Sequence, residues 1–360
     1  MQKQSNQNSF AGQMIYAGID IHLKSWKVTI LSEHYEHRTF SQDPNPDLLA
    51  SYLHRHFPEA EFKAVYEAGF SGFVNCRSLR ELGIPCEVVH PADVPTTSKE
   101  KQLKSDKTDS RKLARSLRDR SLKFIHVPDQ QLEADRSLVR QRHRVVKDLT
   151  RLKNRVKSLL MQFGIEIPER FGNGASRHWS KSYIQWLTDL SIKQESLKQT
   201  VNNYIQWAQI LRQQLLLLNK QVKNLAQQKR YLADYQRVLS IPGVGLMTAI
   251  TFLVEIGDIR RFKRIDELCS FVGLIPSMRG SGDKMVTGKL INRGRKQLKI
   301  MLIEASWEAV RKDPALMWTF NECIKRMPKN KAIIRVARKM LNRMYSILKN
   351  QNMYTIGISK

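Results

Sequence analysis

Residues 15–31, IYAGIDIHLKSWKVTIL, decide how the N-terminal third of the chain is read. Ile15, Ala17 and Ile19 alternate along one run that ends on Asp20, and Trp26–Leu31 resumes the apolar pattern after a polar turn at His22–Ser25. Two such runs around a short polar turn predict a β-hairpin. Arg38–Ser41 extends it with a third strand. Asn45-Pro46 then opens a helix, with Pro at the first helical position. Phe62–Tyr66 forms another strand that ends at Glu67, a helix follows around Phe73–Leu82 and stops at Gly83, and Cys86–His90 is a strand broken by Pro91. Three strands followed by helix, strand, helix, strand and helix is the order of a ribonuclease-H-like mixed sheet. The alternative is a doubly wound nucleotide-binding fold, but Gly18 and the Glu67-Ala68-Gly69 turn do not make its GxGxxG phosphate loop.

The 360 residues carry 61 Lys and Arg against 33 Asp and Glu, a net charge of +28. A hydrophobic fraction of 41% excludes a disordered basic tail protein, so the chain is expected to fold into two or three domains. The excess charge points to a polyanionic partner, DNA or RNA. No apolar run is long enough to span a bilayer, so no membrane partner is expected. Met1–Gln13 reads as a disordered polar arm without a secretion signal. The cysteines, Cys76, Cys86, Cys269 and Cys323, lack zinc-site spacing and suit a reducing, cytoplasmic compartment.

Residues 129 to about 232 read as two long amphipathic helical segments, Gln130–Phe163 and Ser180–Leu232. Leu138, Val145, Leu149, Leu152, Val156 and Leu159 form one stripe, and Leu211, Leu215, Leu218, Val222 and Leu225 another. Such stripes make an antiparallel hairpin or a coiled coil, with the seam either internal or between copies. Within the first segment, the stretch from Arg136 to Lys157 carries Arg136, Arg140, Arg142, Arg144, Lys147, Arg151, Lys153, Arg155 and Lys157 against the single acid Asp148. A solvated helix mixes signs to gain i,i+4 pairs, so this bias favours contact with a nucleic-acid backbone. Further on, Ile241-Pro242-Gly243-Val244-Gly245 followed by Thr248-Ala249 is similar to the hairpin of a helix-hairpin-helix motif, whose glycines let the backbone approach a phosphate. An ordinary helix connection is the other use of such a turn. Residues 236–350 read as mainly helical, with a glycine-rich loop at Gly280–Gly294 and a closing amphipathic helix at Lys331–Lys349.

Four carboxylates stand at telling places. Asp20 and Glu67 end two strands, and Asp106 and Asp109 lie three apart at the start of a helix through Leu113 and Leu117. Singly, each has a structural use, Asp106 or Asp109 as a helix cap and Asp20 as a turn residue. On a ribonuclease-H-like sheet, however, the first and fourth strands are neighbours. Four converging carboxylates repel unless divalent cations sit among them, and oxygen ligands suit Mg²⁺ or Mn²⁺.

The ordered series Tyr16–Asp20, Tyr66–Gly72, Cys86–Pro91, Lys104–Arg115, Ser240–Gly245, Glu255–Asp258 with Arg261-Phe262, Phe271–Pro276 and Gly280–Gly282 resembles the DEDD transposases of the IS-one-ten family of bacterial insertion sequences. The resemblance runs from about Ile15 to Ala315. It implies a RuvC-like catalytic domain over residues 14–128, a helical coiled-coil region over 129–235 and a C-terminal transposase domain over 236–350. It also implies a DNA recombinase working in the bacterial cytoplasm on the nucleoid, as a homo-oligomer from dimer to tetramer. A noncoding bridge RNA would guide it by pairing with donor and target DNA. Residue by residue, the metal site becomes Asp20, Glu67, Asp106 and Asp109, and the serine nucleophile becomes Ser281. The serine loop here reads Gly280-Ser281-Gly282-Asp283-Lys284, where the family often shows Ser-Ser-Gly-Gly-Lys. All nine histidines lie at or before His178, so the serine has no His base close in sequence. Nucleic-acid contacts are expected from Arg140, Arg144, Lys147, Arg151, Arg155, Gly243, Gly245, Lys284, Lys289, Arg293 and Arg295. A structure-specific nuclease or junction resolvase using only the metal site is the competing expectation.

Overall fold

The computed structural model describes residues 9–96, 106–171, 179–281 and 284–357, without the side chains of 106–107, 278–281 and 284–287. Most of the expected N-terminal arm therefore lies outside the described residues. The chain divides into two compact units, Met1–Asp129 and Gln130–Lys360.

The first unit is a five-stranded mixed sheet with helices on both faces. Its elements are β1 (Met14–Ile21), β2 (Trp26–Leu31), β3 (Glu36–Gln42), α1 (Pro46–His56), β4 (Glu61–Glu67), α2 (Val74–Glu81), β5 (Cys86–Val89) and α3 (Asp106–Arg118). The strand order is β3-β2-β1-β4-β5. β1, β2 and β3 are antiparallel, while β4 and β5 run parallel to β1. This mixed topology is compatible with the ribonuclease-H-like sheet expected from sequence. Asn45 caps α1 by accepting from the Asp47 amide, with Pro46 in the first turn.

Strand periodicity assigns the two faces. Ile15, Ala17 and Ile19 join Ala64 and Tyr66 in a core with Leu49 and Leu53 of α1 and Cys76 and Leu79 of α2. Tyr16, Val65 and Val89 point the other way and pack on Leu113, Ala114 and Leu117 of α3. Each fully buried leucine or valine here contributes about 1.5–3 kcal/mol relative to exposure.

The second unit begins with α4 (Gln130–Gln162), α5 (Lys181–Thr188), α6 (Glu195–Ala226), α7 (Lys229–Leu239), α8 (Leu246–Ile256) and α9 (Ile265–Val272). It continues with β6 (Pro276–Ser281), β7 (Lys284–Leu290), α10 (Lys296–Lys312), α11 (Pro314–Ile324) and α12 (Lys329–Asn350). α4 and α6 form an antiparallel pair: Arg142 bonds Asn219 at 3.0 Å, and the Arg155 guanidinium lies over the Trp207 ring at 5.7 Å. Leu149, Leu152, Val156 and Leu160 meet Leu197, Val201, Ile205 and Ala208 in one core. At the other end Leu132, Val139, Val222 and Leu225 join the core of α7 to α12. The leucine stripes thus pack on each other within the chain.

Two sequence expectations need correction. The segment Ser180–Leu232 is not continuous but breaks between α5 and α6 and again between α6 and α7. These breaks use no Gly or Pro; Asp189 ends α5 with its amide on Gln185 O, and its carboxylate accepts from the Gln185 side chain. The second correction is the glycine-rich segment, which forms an antiparallel hairpin, with Arg279 opposite Val286 and Ser281 opposite Lys284. Its β-branched and alternating residues pair as strands in spite of the glycines. Among the described residues no helix is long and apolar enough to cross a membrane.

Candidate active site and nucleic-acid interface

Asp20 follows Ile19 in β1 and Glu67 follows Tyr66 in β4, and Ile19 and Tyr66 are partners in the parallel register. The two carboxylates therefore end adjacent strands, which lie about 4.8 Å apart. Both occupy the face covered by α3, because Gly18 and Val65, two residues earlier, lie on that face.

α3 is held to this face unusually closely. A Cβ added to Gly18 would collide with the backbone of Ser110 and Ala114, lying 2.9 Å from Ala114 Cα. The buried hydroxyls of Thr29 and Ser110 bond at 2.9 Å, and Thr29 bonds Thr39 at 2.9 Å, so a polar ladder joins α3 to β2 and β3. Arg111 and Arg115 reach Glu36 on β3, whose partner Leu31 stands opposite Tyr16. The C-terminal half of α3 thus covers the start of β1, and its N-terminal turn lies towards Asp20. Asp109 sits in that turn. Asp106 is its first residue, with a side chain outside the described set.

Two of the carboxylates have local partners. His22 Nε2 stands 3.1 Å from Asp20 Oδ2, and Lys112 Nζ, only 11% exposed, stands 3.1 Å from Asp109 Oδ1. Among the described residues no group of three His, Cys, Asp or Glu is close enough to hold a metal ion. Asp20, Glu67 and Asp109 lie towards one end of the same sheet face without meeting that spacing, and each is an oxygen donor of the type that hard divalent cations take.

Ser281 ends β6, and its side chain lies outside the described set, as does that of Lys284. The root of the hairpin is described. Gly273 and Gly294 adopt φ of +86° and +108°, a region disfavoured for other residues. A Cβ on Gly294 would lie 2.7 Å from the Gly273 nitrogen, so the two chain segments cross backbone to backbone. Lys289 and Arg293 are exposed.

The other basic residues separate into two environments. Arg144, Lys147, Arg151 and Arg155 are exposed at three- and four-residue steps along one face of α4. Arg151 also pairs with Asp148, and Arg155 lies over Trp207. Arg140, by contrast, is bidentate to the buried Glu255 at 2.7 and 2.8 Å, and Arg295 lies 3.4 Å from the same carboxylate. In the glycine turn, Gly243 lies against α10, where an added Cβ would come 2.5 Å from Ala305 O. Gly245 caps α8 with open space where its Cβ would be. The close backbone approach at Gly243 is thus to a helix.

Sequence reasoning quoted Glu255 and Arg261 only as part of the family pattern, without a role, and did not single out His143. Burial alone would raise the Glu255 carboxyl, but the Arg140 hydrogen bonds and the charges of Arg140, Arg295 and Arg136 hold it below its ordinary value. Burial pushes Arg261 down to about 10, aided by the nearby Arg136 and Arg295 charges. His143, bonded to Thr251 at 3.1 Å, is lowered by burial to about 4. The available signal was one acid inside the otherwise uncharged helix LMTAITFLVEI.

Residues 235–320 match the family described as "Transposase IS116/IS110/IS902 family". Residues 17–165 match the DEDD family of IS110 elements, described as "Transposase". The chain is 27% identical over 290 residues to the transposase for insertion sequence element IS1111A of Coxiella burnetii, covering 78% of this chain and 76% of that protein. It is 26% identical over 250 residues to the transposase for insertion sequence element IS1533 of Leptospira borgpetersenii, covering 68% and 70%. With the two matched segments containing all four carboxylates and Ser281, this chain belongs to the IS110 family of insertion-sequence transposases.

Proposed function

We propose that this transposase cuts and rejoins DNA through a phosphoserine intermediate, using Ser281 as nucleophile and a metal site formed by Asp20, Glu67, Asp106 and Asp109. The observation that carries this reading is the placement of Asp20 and Glu67 at the ends of adjacent parallel strands, under the helix turn bearing Asp109. When bound there, Mg²⁺ or Mn²⁺ would supply Lewis-acid stabilisation of charge at the reacting phosphodiester. The carboxylates' own part is to hold that charge at one strand edge, with His22 and Lys112 tethering Asp20 and Asp109. Attack by the serine oxygen forms one phosphoester bond and breaks one. The phosphoester bond energy is thereby conserved for rejoining; the serine hydroxyl gives up its proton as the Oγ–P bond forms and the displaced DNA oxygen takes up one proton and leaves as a hydroxyl, so protons balance. The exposed α4 stripe and the residues Lys284, Lys289, Arg293 and Arg295 would bind backbone phosphates, with Gly245 at the open end of its turn.

The same reading includes a noncoding guide RNA that pairs with donor and target DNA, and a homo-oligomer from dimer to tetramer. The charge of +28 supports a load of nucleic acid larger than one duplex segment. Ser281→Ala is expected to abolish the covalent protein–DNA adduct, read as a mass shift on denaturing gels with matched element ends and RNA. Asp109→Asn is expected to abolish strand cleavage as well. A Ser281→Ala protein that still forms the adduct would remove the serine assignment. Wild-type hydrolysis products with no adduct would favour a metal-only nuclease.

A further inference from the structure

Three guanidinium groups act on one carboxylate at the root of the β6–β7 hairpin, and a fourth binds the end of the same helix. Glu255 takes both bonds from Arg140 and faces Arg295 Nε at 3.4 Å. Arg136 donates to the carbonyls of Val254 at 2.6 Å and Glu255 at 3.0 Å, and Arg261 to that of Ile256 at 2.9 Å. Those carbonyls end α8 and carry roughly half a negative charge. Asp258, the next acid along the chain, is engaged by Arg260 at 3.0 Å. Against four positive charges the junction sets the Glu255 carboxylate and a helix end, with Glu133 acting on Arg140 and Asp258, shared with Arg260, acting on Arg261, so positive charge stays in excess.

The surplus is crowded. Arg261 lies 4.6 Å and Arg295 4.9 Å from the centre of the same Phe271 ring, so two cations share one aromatic. Burial first, and then the neighbouring Arg136 and Arg295 charges, lower Arg261 to about 10 against the opposing charge of Asp258. A purely structural cluster would be closer to neutral, since breaking charge balance in a half-buried site is costly. Arg140 and Arg295 nevertheless keep 41% and 40% of their side chains exposed, so an anion can reach them from solvent. Guanidinium forks match phosphate oxygens in pairs.

We propose that this junction is a single-phosphate site, in which Arg140, Arg261 and Arg295 close on one backbone phosphate of the DNA while Glu255 and the end of α8 hold them in position. The proposal rests on the DNA-processing reading above and deepens it. Arg295 directly follows Gly294, the crossing residue of the hairpin neck. A phosphate held there would therefore be registered against the hairpin that bears Ser281.

The test uses the full-length protein in two arms. In the first, thermal unfolding is followed in sodium phosphate and in sodium chloride at equal ionic strength. Phosphate should raise the wild-type midpoint, and Arg261→Gln and Arg295→Gln should each lose that rise. In the second, affinity for a short duplex of arbitrary sequence is measured against salt. Each single variant should reduce the slope of log K on log salt by about 0.9, the contribution of one phosphate. The double variant should also lose only about 0.9, because both residues grip the same phosphate. Arg295→Lys, which keeps the charge, should keep the slope and serves as the folding control. A double variant that loses about 1.8, or single variants that leave slope and phosphate protection untouched, would overturn the proposal. So would a slope change seen with a stem-loop RNA and not with the duplex. If duplex binding survives while phosphate protection is absent from the wild type, the single-phosphate site falls and the broader function stands. If the wild type does not bind the duplex, the broader reading falls and the phosphate arm alone decides the site.

Discussion

Gly18 carries no functional group, yet it sets how closely α3 approaches β1. Its missing Cβ is occupied by the backbone of Ser110 and Ala114, which cannot turn aside as a flexible side chain could. Gly18→Ala should therefore lower stability by about 1–3 kcal/mol or more, the range of overpacking in a tight core. Urea unfolding should show this, and the same variant should lose cleavage, because Asp109 rides on the displaced helix. Asp20 and Glu67 were legible from sequence because each terminates an alternating strand pattern, and a strand end is a position that period-two reading locates well. Glu255 was not. Its partner Arg140 is 115 positions away, and a single acid near the end of an apolar helix reads as an ordinary break in hydrophobicity. Only folding shows that three arginines converge on it.

Between elements, polar contacts at buried interfaces do the work that the apolar stripes leave unspecified. His143 of α4 bonds Thr251 of α8 inside the second unit. Burial lowers this imidazole to about 4, so the folded protein resists protonating it while the unfolded chain protonates near 6.5. The unfolded state then binds more protons between these values. Stability should be unaffected by this group above pH 6.5 and should fall with acidification between about 6.5 and 4, by at most about 1.4 kcal/mol per pH unit. A His143→Gln variant should show a shallower acid dependence in that window, measured by denaturant midpoints at successive pH values. The helix pair itself was legible in its stripes, but not the direction of its partner: the stripes suit an internal or an intermolecular seam equally, and only Arg142–Asn219 and Arg155–Trp207 fix the antiparallel register within one chain. The breaks between α5, α6 and α7 were not legible because backbone turns at Asp189 and Gln227 end these helices without Gly or Pro.

For the molecule as a whole, the charge of +28 makes ionic strength the dominant external variable. Duplex affinity should fall by orders of magnitude as salt rises across the physiological range, as expected when several phosphates are neutralised. Neutralising Lys147 and Arg155 together on the exposed α4 face should reduce the salt slope by about 1.8, two independent phosphate contacts, and filter binding over a salt series would read it. An unchanged slope would move the nucleic acid off that face. The fold adds a thermodynamic consequence. The hydrophobic clusters of residues 1–129 and those of 130–360 share no member among the described residues. Two separate cores need not melt as one cooperative system. A calorimetric trace of this transposase should accordingly be resolved into two heat-absorption peaks, each assigned by a variant lodged in its own half.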